Sequence, residues 1–84
     1  MNEIEQAVQA FFHSFALRVL NEAGANPDSP QAVKQALLEH YEHIYPAFSQ
    51  TEIFKSCPEG SARYLTMVEA YRYNFTLLLE GKIP

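Results

Sequence analysis

The chain has 84 residues, of which 48% are hydrophobic and 19% are charged, and its formal net charge is -4. Chains that stay disordered are poorer in apolar residues and richer in charge, so this composition excludes a disordered protein. The length predicts a single domain, residues 1–84, with a small core and a thin margin of stability unless a partner, a metal or a second copy adds to it.

Basic residues are few and isolated along the chain, which argues against direct binding of nucleic acid. Lys and Arg number six against ten Asp and Glu, and no two of the six are adjacent. A phosphate backbone is held by a basic stripe or patch, and this sequence predicts none. The acidic residues are scattered as well, which also disfavours a mimic of DNA.

The cysteine content and the short apolar runs predict a cytoplasmic protein. Cys57 has no partner for an intrachain disulfide, which fits a reducing compartment. The first five residues are acidic where a secretory signal would be basic, and the longest apolar runs cover only a few residues. A bilayer span needs about 20 apolar residues, so we expect no membrane insertion.

In chain order, the first predicted element is a long amphipathic helix from Asn2 to about Ala23. Its apolar side chains fall within one arc when each residue turns by about 100°. Glu3 and Glu5 lie in the first turn, where the helix dipole favours carboxylates, and Gly24 follows as the C-terminal cap. The residues expected to face the core are Ile4, Val8, Phe11, Phe12, Phe15 and Val19.

A loop rich in helix breakers, residues 24–30, precedes the second predicted helix. Ser29 is the expected N-cap, and Pro30 takes the first helical position, where its missing N–H costs nothing. We expect this helix to end near Tyr45 or to kink there, because Pro46 blocks the preceding turn. The residues expected to face the core are Val33, Leu37, Tyr41, Ile44 and Phe48.

Two further helices complete the predicted fold. Ser49 and Glu52 have the spacing of a capping box, which predicts a short helix before the break at residues 56–60. The last helix is expected from about Ser61 to Glu80, with Gly81 as its cap. Its expected core-facing residues are Tyr64, Val68, Tyr71, Phe75, Leu78 and Leu79. Because no β-alternation of useful length is present, the predicted fold is all-α: a small antiparallel helical bundle of three longer helices and one short helix.

The last helix carries a second line of side chains on the side opposite its core stripe. This line consists of Thr66, Ala70, Tyr73 and Leu77. A helix that is apolar on two faces must be covered on both. Either the helix runs through the middle of the bundle, or the face with Tyr73 and Leu77 binds another chain. Tyrosine suits an interface because it buries a large flat area at little entropic cost and keeps a polar tip.

A smaller pair of off-stripe residues is present in the first helix. Leu17 and Leu20 lie outside its main arc. Single exposed leucines are ordinary on soluble proteins. If both off-stripe faces are exposed, however, the chain has more apolar surface than a small monomer keeps in water, so Leu17 and Leu20 form a second candidate partner-binding patch.

His40 and His43 are the only candidate metal ligands, because a spacing of three can direct two imidazoles toward one ion. Two ligands are too few for a site, and residues 39–43 match neither the zinc-protease pattern nor that of di-iron bundles. We therefore predict no metal. Cys57, just before Pro58, is expected to be a structural cysteine that packs as a small hydrophobe.

The sequence has no motif for catalysis. It lacks a glycine-rich phosphate loop and a nucleophile elbow, so neither an enzyme nor a cofactor is predicted. The leading hypothesis is a small acidic helical protein-protein interaction module, an adaptor, chaperone-like cover or inhibitor that docks an apolar helix face on a partner protein. Small inhibitors carried by phages and other mobile elements share this size and acidity, which is an analogy of class alone. The alternatives are a homo-oligomeric structural protein, such as a homodimer, and a metal or small-ligand site at His40 and His43.

Overall fold

A computed structural model describes all 84 residues and contains five α-helices and no β-strand. The helices are α1 (Glu3–Ala23), α2 (Pro30–Leu37), α3 (Tyr41–Phe48), α4 (Glu52–Lys55) and α5 (Ala62–Leu79). The predicted all-α class is confirmed. None of the five helices combines the length and the hydropathy that a membrane crossing requires.

The two long helices, α1 and α5, run parallel to each other. Near their first residues, Arg63 donates a hydrogen bond to the carboxylate of Glu3 at 3.0 Å in an exposed ion pair. Further along both helices, the ring of Phe12 lies 5.0 Å from that of Tyr71. The contacts therefore advance in the same direction along α1 and α5.

The chain between the long helices runs back along them. The hydroxyl of Tyr41 donates to the carbonyl oxygen of Leu78 at 3.4 Å, near the end of α5. The ring of Phe48 lies 5.0 Å from that of Tyr71, near the middle of α5. As the chain proceeds from α2 to α4 it therefore moves toward the start of α5, which is the order of an up-down-up bundle.

α1 begins and ends where the local sequence predicts. The side chain of Asn2 accepts a hydrogen bond from the backbone N–H of Glu5 at 2.9 Å, and the Glu5 carboxylate accepts one from the backbone N–H of Asn2 at 3.0 Å. This capping box satisfies two N–H groups that have no partner within the helix. Gly24 ends the helix at a φ of 65°, the left-handed conformation that glycine adopts at least cost.

The second helix is not continuous, and this part of the prediction is wrong. α2 ends at Leu37 and α3 begins at Tyr41. Between them the hydrogen bonds tighten to three-residue turns, such as that from the N–H of His40 to the carbonyl oxygen of Leu37 at 2.8 Å. Neither glycine nor proline marks this break, so helical periodicity runs through it unchanged.

Pro46 does not end its helix, so the first of the two predicted alternatives, an end near Tyr45, is wrong. It lies inside α3, which continues to Phe48, and the N–H of Ser49 still donates to the carbonyl oxygen of Tyr45 at 2.9 Å. A proline inside a helix leaves one carbonyl without its partner, here that of Glu42. Glu42 and Pro46 are both exposed, so water can bind that oxygen.

Hydroxyl side chains cap the N-termini of α2, α4 and α5, whereas His40, the N-cap of α3, makes no side-chain capping bond. The hydroxyls of Ser29, Thr51 and Ser61 each accept a hydrogen bond from the backbone N–H three residues later, at 3.3, 3.3 and 3.1 Å. The predicted short helix α4 is confirmed, but its cap is Thr51. Ser49 is instead the C-cap of α3, because that helix extends to Phe48. Its hydroxyl donates a hydrogen bond to the carbonyl oxygen of Pro46 at 2.8 Å.

The core lies between the two long helices and the segment that returns along them. Phe12 is at its centre, with no exposed surface and with the rings of Tyr71 and Phe75 at 5.0 and 6.5 Å. Cys57 is buried at the edge of this core, 3% exposed, as expected of a structural cysteine. The other large side chains that are fully buried are Val8, Val33, Leu37, Ile44, Phe48 and Leu78.

α5 buries a different line of residues from the one predicted. Its buried side chains are Met67, Ala70, Asn74 and Leu78. Leu79, which was expected in the core, is 49% exposed. Ala70, a small residue at the centre of this line, lets a neighbouring helix approach α5 closely. The larger side chains on either side of the line then reach the core from its edges. The half-buried flanking residues are Tyr64, Val68, Tyr71 and Phe75.

Two tyrosines predict a loss of stability at alkaline pH. Burial raises the pKa of Tyr41 and of Tyr71 above the ordinary 10.0, and Tyr45 adds to the rise at Tyr71. The unfolded chain releases the two phenolic protons at a lower pH than the folded chain does. The stability that the two protonated tyrosines contribute is therefore complete below pH 10.0 and falls as the pH rises further. We expect Tyr71→Phe to lessen that fall in urea unfolding above pH 10.0, whereas Tyr73→Phe, a matched change at an exposed position, leaves it unchanged. An equal fall in both variants would contradict this assignment.

Candidate protein-binding groove

A groove of about 370 Å³ lies between α1 and α5 on the surface of the bundle. It forms where the two long helices run side by side and the segment after α5 folds over one end. We call it the α1–α5 groove. Its lining residues are Met1, Glu5, Gln9, Thr66, Glu69, Ala70, Tyr73, Asn74, Leu77, Ile83 and Pro84.

The structure brings together the four α5 residues that were singled out from the sequence, since all of them line the α1–α5 groove. Tyr73 is 66% exposed, Thr66 and Leu77 are half-buried, and Ala70 is buried at the floor. This face is therefore covered only in part: Ala70 packs in the core, and Tyr73 lies on the surface beside it.

The second candidate patch, in α1, does not form as predicted. Leu20 is 2% exposed and belongs to the core, so it cannot contact a partner. Leu17 is 41% exposed, but it does not line the α1–α5 groove. The reason is that α1 is covered by α2 as well as by α5, so a wider arc of its surface is buried.

The segment after α5 closes one end of the groove. Gly81 turns the chain at a φ of 79°, and the N–H of Lys82 donates to the carbonyl oxygen of Leu77 at 2.9 Å. Nδ1 of His13 lies 2.8 Å from the carbonyl oxygen of Pro84, which can only accept, so this nitrogen carries the proton. These bonds hold the tail against α1 and α5.

The groove is acidic at its rim. Its ionisable side chains besides Tyr73 are Glu5 and Glu69, no lysine or arginine lines it, and the α-amino group of Met1 is its one cationic group. Glu5 is engaged in the capping box, whereas Glu69 is exposed and makes neither a hydrogen bond nor an ion pair within the chain. The groove therefore offers an apolar floor below a negative edge.

Sequence reasoning missed the polar part of this groove. Asn74 follows Ala70 by four residues and is 96% buried, since its exposed fraction is 4%. An asparagine on the apolar side of a helix interior is unusual, because asparagine favours caps and turns. That signal was available in the sequence, whereas the positions of Glu5 and Gln9 opposite α5 depend on the packing of the two helices.

A second, smaller depression of about 250 Å³ lies among α3, α4 and α5. We call it the aromatic depression. Tyr45, 56% exposed, stands at its rim with its ring 6.0 Å from that of Phe54, and Arg72 is its one charged residue. Its other lining residues are Phe48, Tyr64, Met67, Val68 and Tyr71.

The histidine pair lacks further ligands. The ring centres of His40 and His43 are 6.1 Å apart, and Nε2 of His43 lies 3.9 Å from a carboxylate oxygen of Glu42. The structure contains no group of three or more His, Cys, Asp or Glu side chains that could hold a metal ion. The break between α2 and α3 also makes His40 the N-cap of α3, so the two histidines do not share a regular helical face.

Comparison of the chain with protein-family models, with curated proteins and with solved structures gave no match. What this chain does is therefore inferred from its own surface.

Proposed function

We propose that this chain is a small protein-binding module that docks a helical segment of another protein in the α1–α5 groove. The observation that carries the proposal is Tyr73, a large aromatic side chain that is 66% exposed directly beside the apolar floor formed by Ala70 and Leu77. Exposed tyrosines next to apolar pockets are typical anchors of protein interfaces.

The shape of the groove supports a helical ligand. α1 and α5 run parallel on either side of it, and the ridge-and-groove surface of such a pair accepts a third helix. Small side chains at the floor, Ala70 and Thr66, allow a close approach. Tyr73 and Leu77 are four residues apart and so present one continuous face of α5 to the ligand.

Composition and chemistry support a binding role in the cytoplasm. The chain is acidic, its one cysteine is buried, and no catalytic motif was found in its sequence. We propose an adaptor, a chaperone-like cover or an inhibitor that acts on a protein rather than on nucleic acid or a membrane.

The test is the double variant Tyr73→Glu with Leu77→Glu. The partner is first captured from the native host with the parent chain, and its affinity for the purified chain is then measured by titration calorimetry. We expect the double variant to lose at least about 30-fold in affinity, because two central contacts of the interface become charged. Its helical circular dichroism should remain, since Tyr73 is exposed and Leu77 half-buried.

A matched control is available on the same helix. Leu65 and Leu79 are 64% and 49% exposed and line neither the groove nor the aromatic depression. The double variant Leu65→Glu with Leu79→Glu adds the same charge and should keep the parent affinity. Equal losses in both double variants, or unfolding of the Tyr73 and Leu77 variant, would refute the proposed surface. Recovery of the chain alone, with dimers in sedimentation, would favour the homo-oligomer instead.

A further inference from the structure

Asn74 is the only side-chain amide in the core, and no charged group is buried there. Its Nδ2 donates a hydrogen bond to the carbonyl oxygen of Ala70 at 2.7 Å. Its Oδ1 has no hydrogen-bond partner in the chain. Because no fully buried side-chain oxygen or nitrogen is left unpaired, this oxygen reaches the surface, and the surface that Asn74 lines is the α1–α5 groove.

An aliphatic side chain would fill the position of Asn74 and would need no hydrogen-bond partner. Asparagine is a poorer helix former than leucine, and burial of an amide costs free energy unless its hydrogen bonds are made. One of the two N–H groups of Asn74 is used by its own helix, and its Oδ1 is an unused acceptor at the groove. A ligand that donates a hydrogen bond there would satisfy it.

The remaining polar groups of the groove favour a cationic donor. Glu69 is exposed without a partner, and Glu5 lies across the groove on α1. The lining residues therefore supply two carboxylates against one cationic group, the α-amino group of Met1, and they include neither lysine nor arginine. Hydrogen bonds from an ammonium or guanidinium group to such acceptors are stronger than those between neutral groups.

Resting on the proposed function, we infer that the α1–α5 groove recognises a basic amphipathic helix. One lysine or arginine of that helix donates to Oδ1 of Asn74 and pairs with Glu69, while its apolar side chains cover Tyr73 and Leu77. A second copy of this chain fits the groove poorly, because each copy carries a net charge of -4 and would bring further carboxylates to an acidic rim.

The probes are two synthetic amphipathic helical peptides that differ only at one central position on the apolar face, lysine in one and norleucine in the other. Their dissociation constants for the full chain are measured by fluorescence anisotropy. We expect the lysine peptide to bind about tenfold more tightly, because its charge meets a hydrogen-bond acceptor and a carboxylate. This preference should shrink as salt is added.

Three variants test which residues of the chain cause the preference for the lysine peptide. Asn74→Leu should remove most of the tenfold ratio while the norleucine peptide still binds, since an apolar floor remains. Glu69→Gln should lower the ratio by about two- to fivefold, the range for an exposed ion pair. Glu22→Gln, which makes the same change of net charge at an exposed position of α1 outside the groove, should leave the ratio unchanged.

The outcomes separate the two proposals. If both peptides bind equally, and Tyr73→Glu with Leu77→Glu abolishes the binding of both, helix docking stands and recognition of a basic residue is wrong. If neither peptide binds at millimolar concentration, docking of an amphipathic helix in this groove is wrong as well. If Glu22→Gln lowers the ratio as much as Glu69→Gln, the preference reflects net charge and the specific contact is refuted. Should Asn74→Leu fail to fold, the comparison of Glu69→Gln with Glu22→Gln alone decides.

Discussion

The Phe12→Ala variant is expected to lose about 3–5 kcal/mol of unfolding free energy, the range measured when a buried aromatic side chain is cut to a methyl group. Phe12 has no exposed surface, and its ring contacts those of Phe11 and Tyr71 at centroid distances of 5.5 and 5.0 Å. The shortened side chain leaves a cavity at the junction of α1 and α5, where the surrounding rings cannot all relax into it.

The expected loss is large relative to the whole stability of so short a chain. Domains are stable by roughly 0.05–0.15 kcal/mol per residue, which for this chain amounts to about 4–13 kcal/mol. Urea unfolding followed by circular dichroism would measure the loss. Leu65→Ala, at a position that is 64% exposed, is the control and should change the unfolding free energy by less than about 0.5 kcal/mol. Similar losses in the two variants would contradict the central position of Phe12.

The Gly81→Ala variant is expected to lose about 2–5 kcal/mol, for two separate reasons. Gly81 has a φ of 79°, where an L-residue costs about 1–2 kcal/mol. A Cβ atom there would also overlap the backbone of Pro30, at 2.8 Å from its Cα. Overlap in a packed site costs about 1–3 kcal/mol more, because the first turn of α2 must move.

Gly24 provides the control that separates these two costs. It has a similar φ of 65°, but a Cβ atom built on it would meet nothing within 4 Å. Gly24→Ala should therefore lose only about 1–2 kcal/mol, from the backbone alone. Urea unfolding of both variants tests the difference. Equal losses would show that the close approach of Gly81 to Pro30 does not constrain the fold. Because Gly81 also directs the tail that bonds to His13, a change in the imidazole NMR signals of His13 is expected in Gly81→Ala only.

The helix ends that the sequence predicted correctly are those decided by short-range chemistry. The capping hydroxyl of Ser29 and the left-handed glycines at 24 and 81 act within one helical turn, so their residue types reveal them without any knowledge of neighbours. The break after Leu37 has no such residue. Pro46 failed as a stop signal because a single missing hydrogen bond at an exposed position is tolerated.

The candidate site was half predictable for a similar reason. Periodicity along α5 places Ala70, Tyr73 and Leu77 on one face, and in the structure all three line one groove. Periodicity could not say that Leu20 is buried, because that depends on the packing of α2 against α1. Nor could it supply Glu5 from the neighbouring helix or show that the Oδ1 of Asn74 reaches the groove.

The sequence by itself determined that this chain is helical, where the long helices begin and end, and that α5 is apolar on two sides. Only the tertiary structure decided which of those sides is covered. A helical pattern specifies the angle at which a side chain leaves its own helix, whereas burial depends on the neighbouring helix that meets it. In this bundle α5 packs against α1 and buries Met67, Ala70 and Asn74, and Tyr73 is left on the surface beside them.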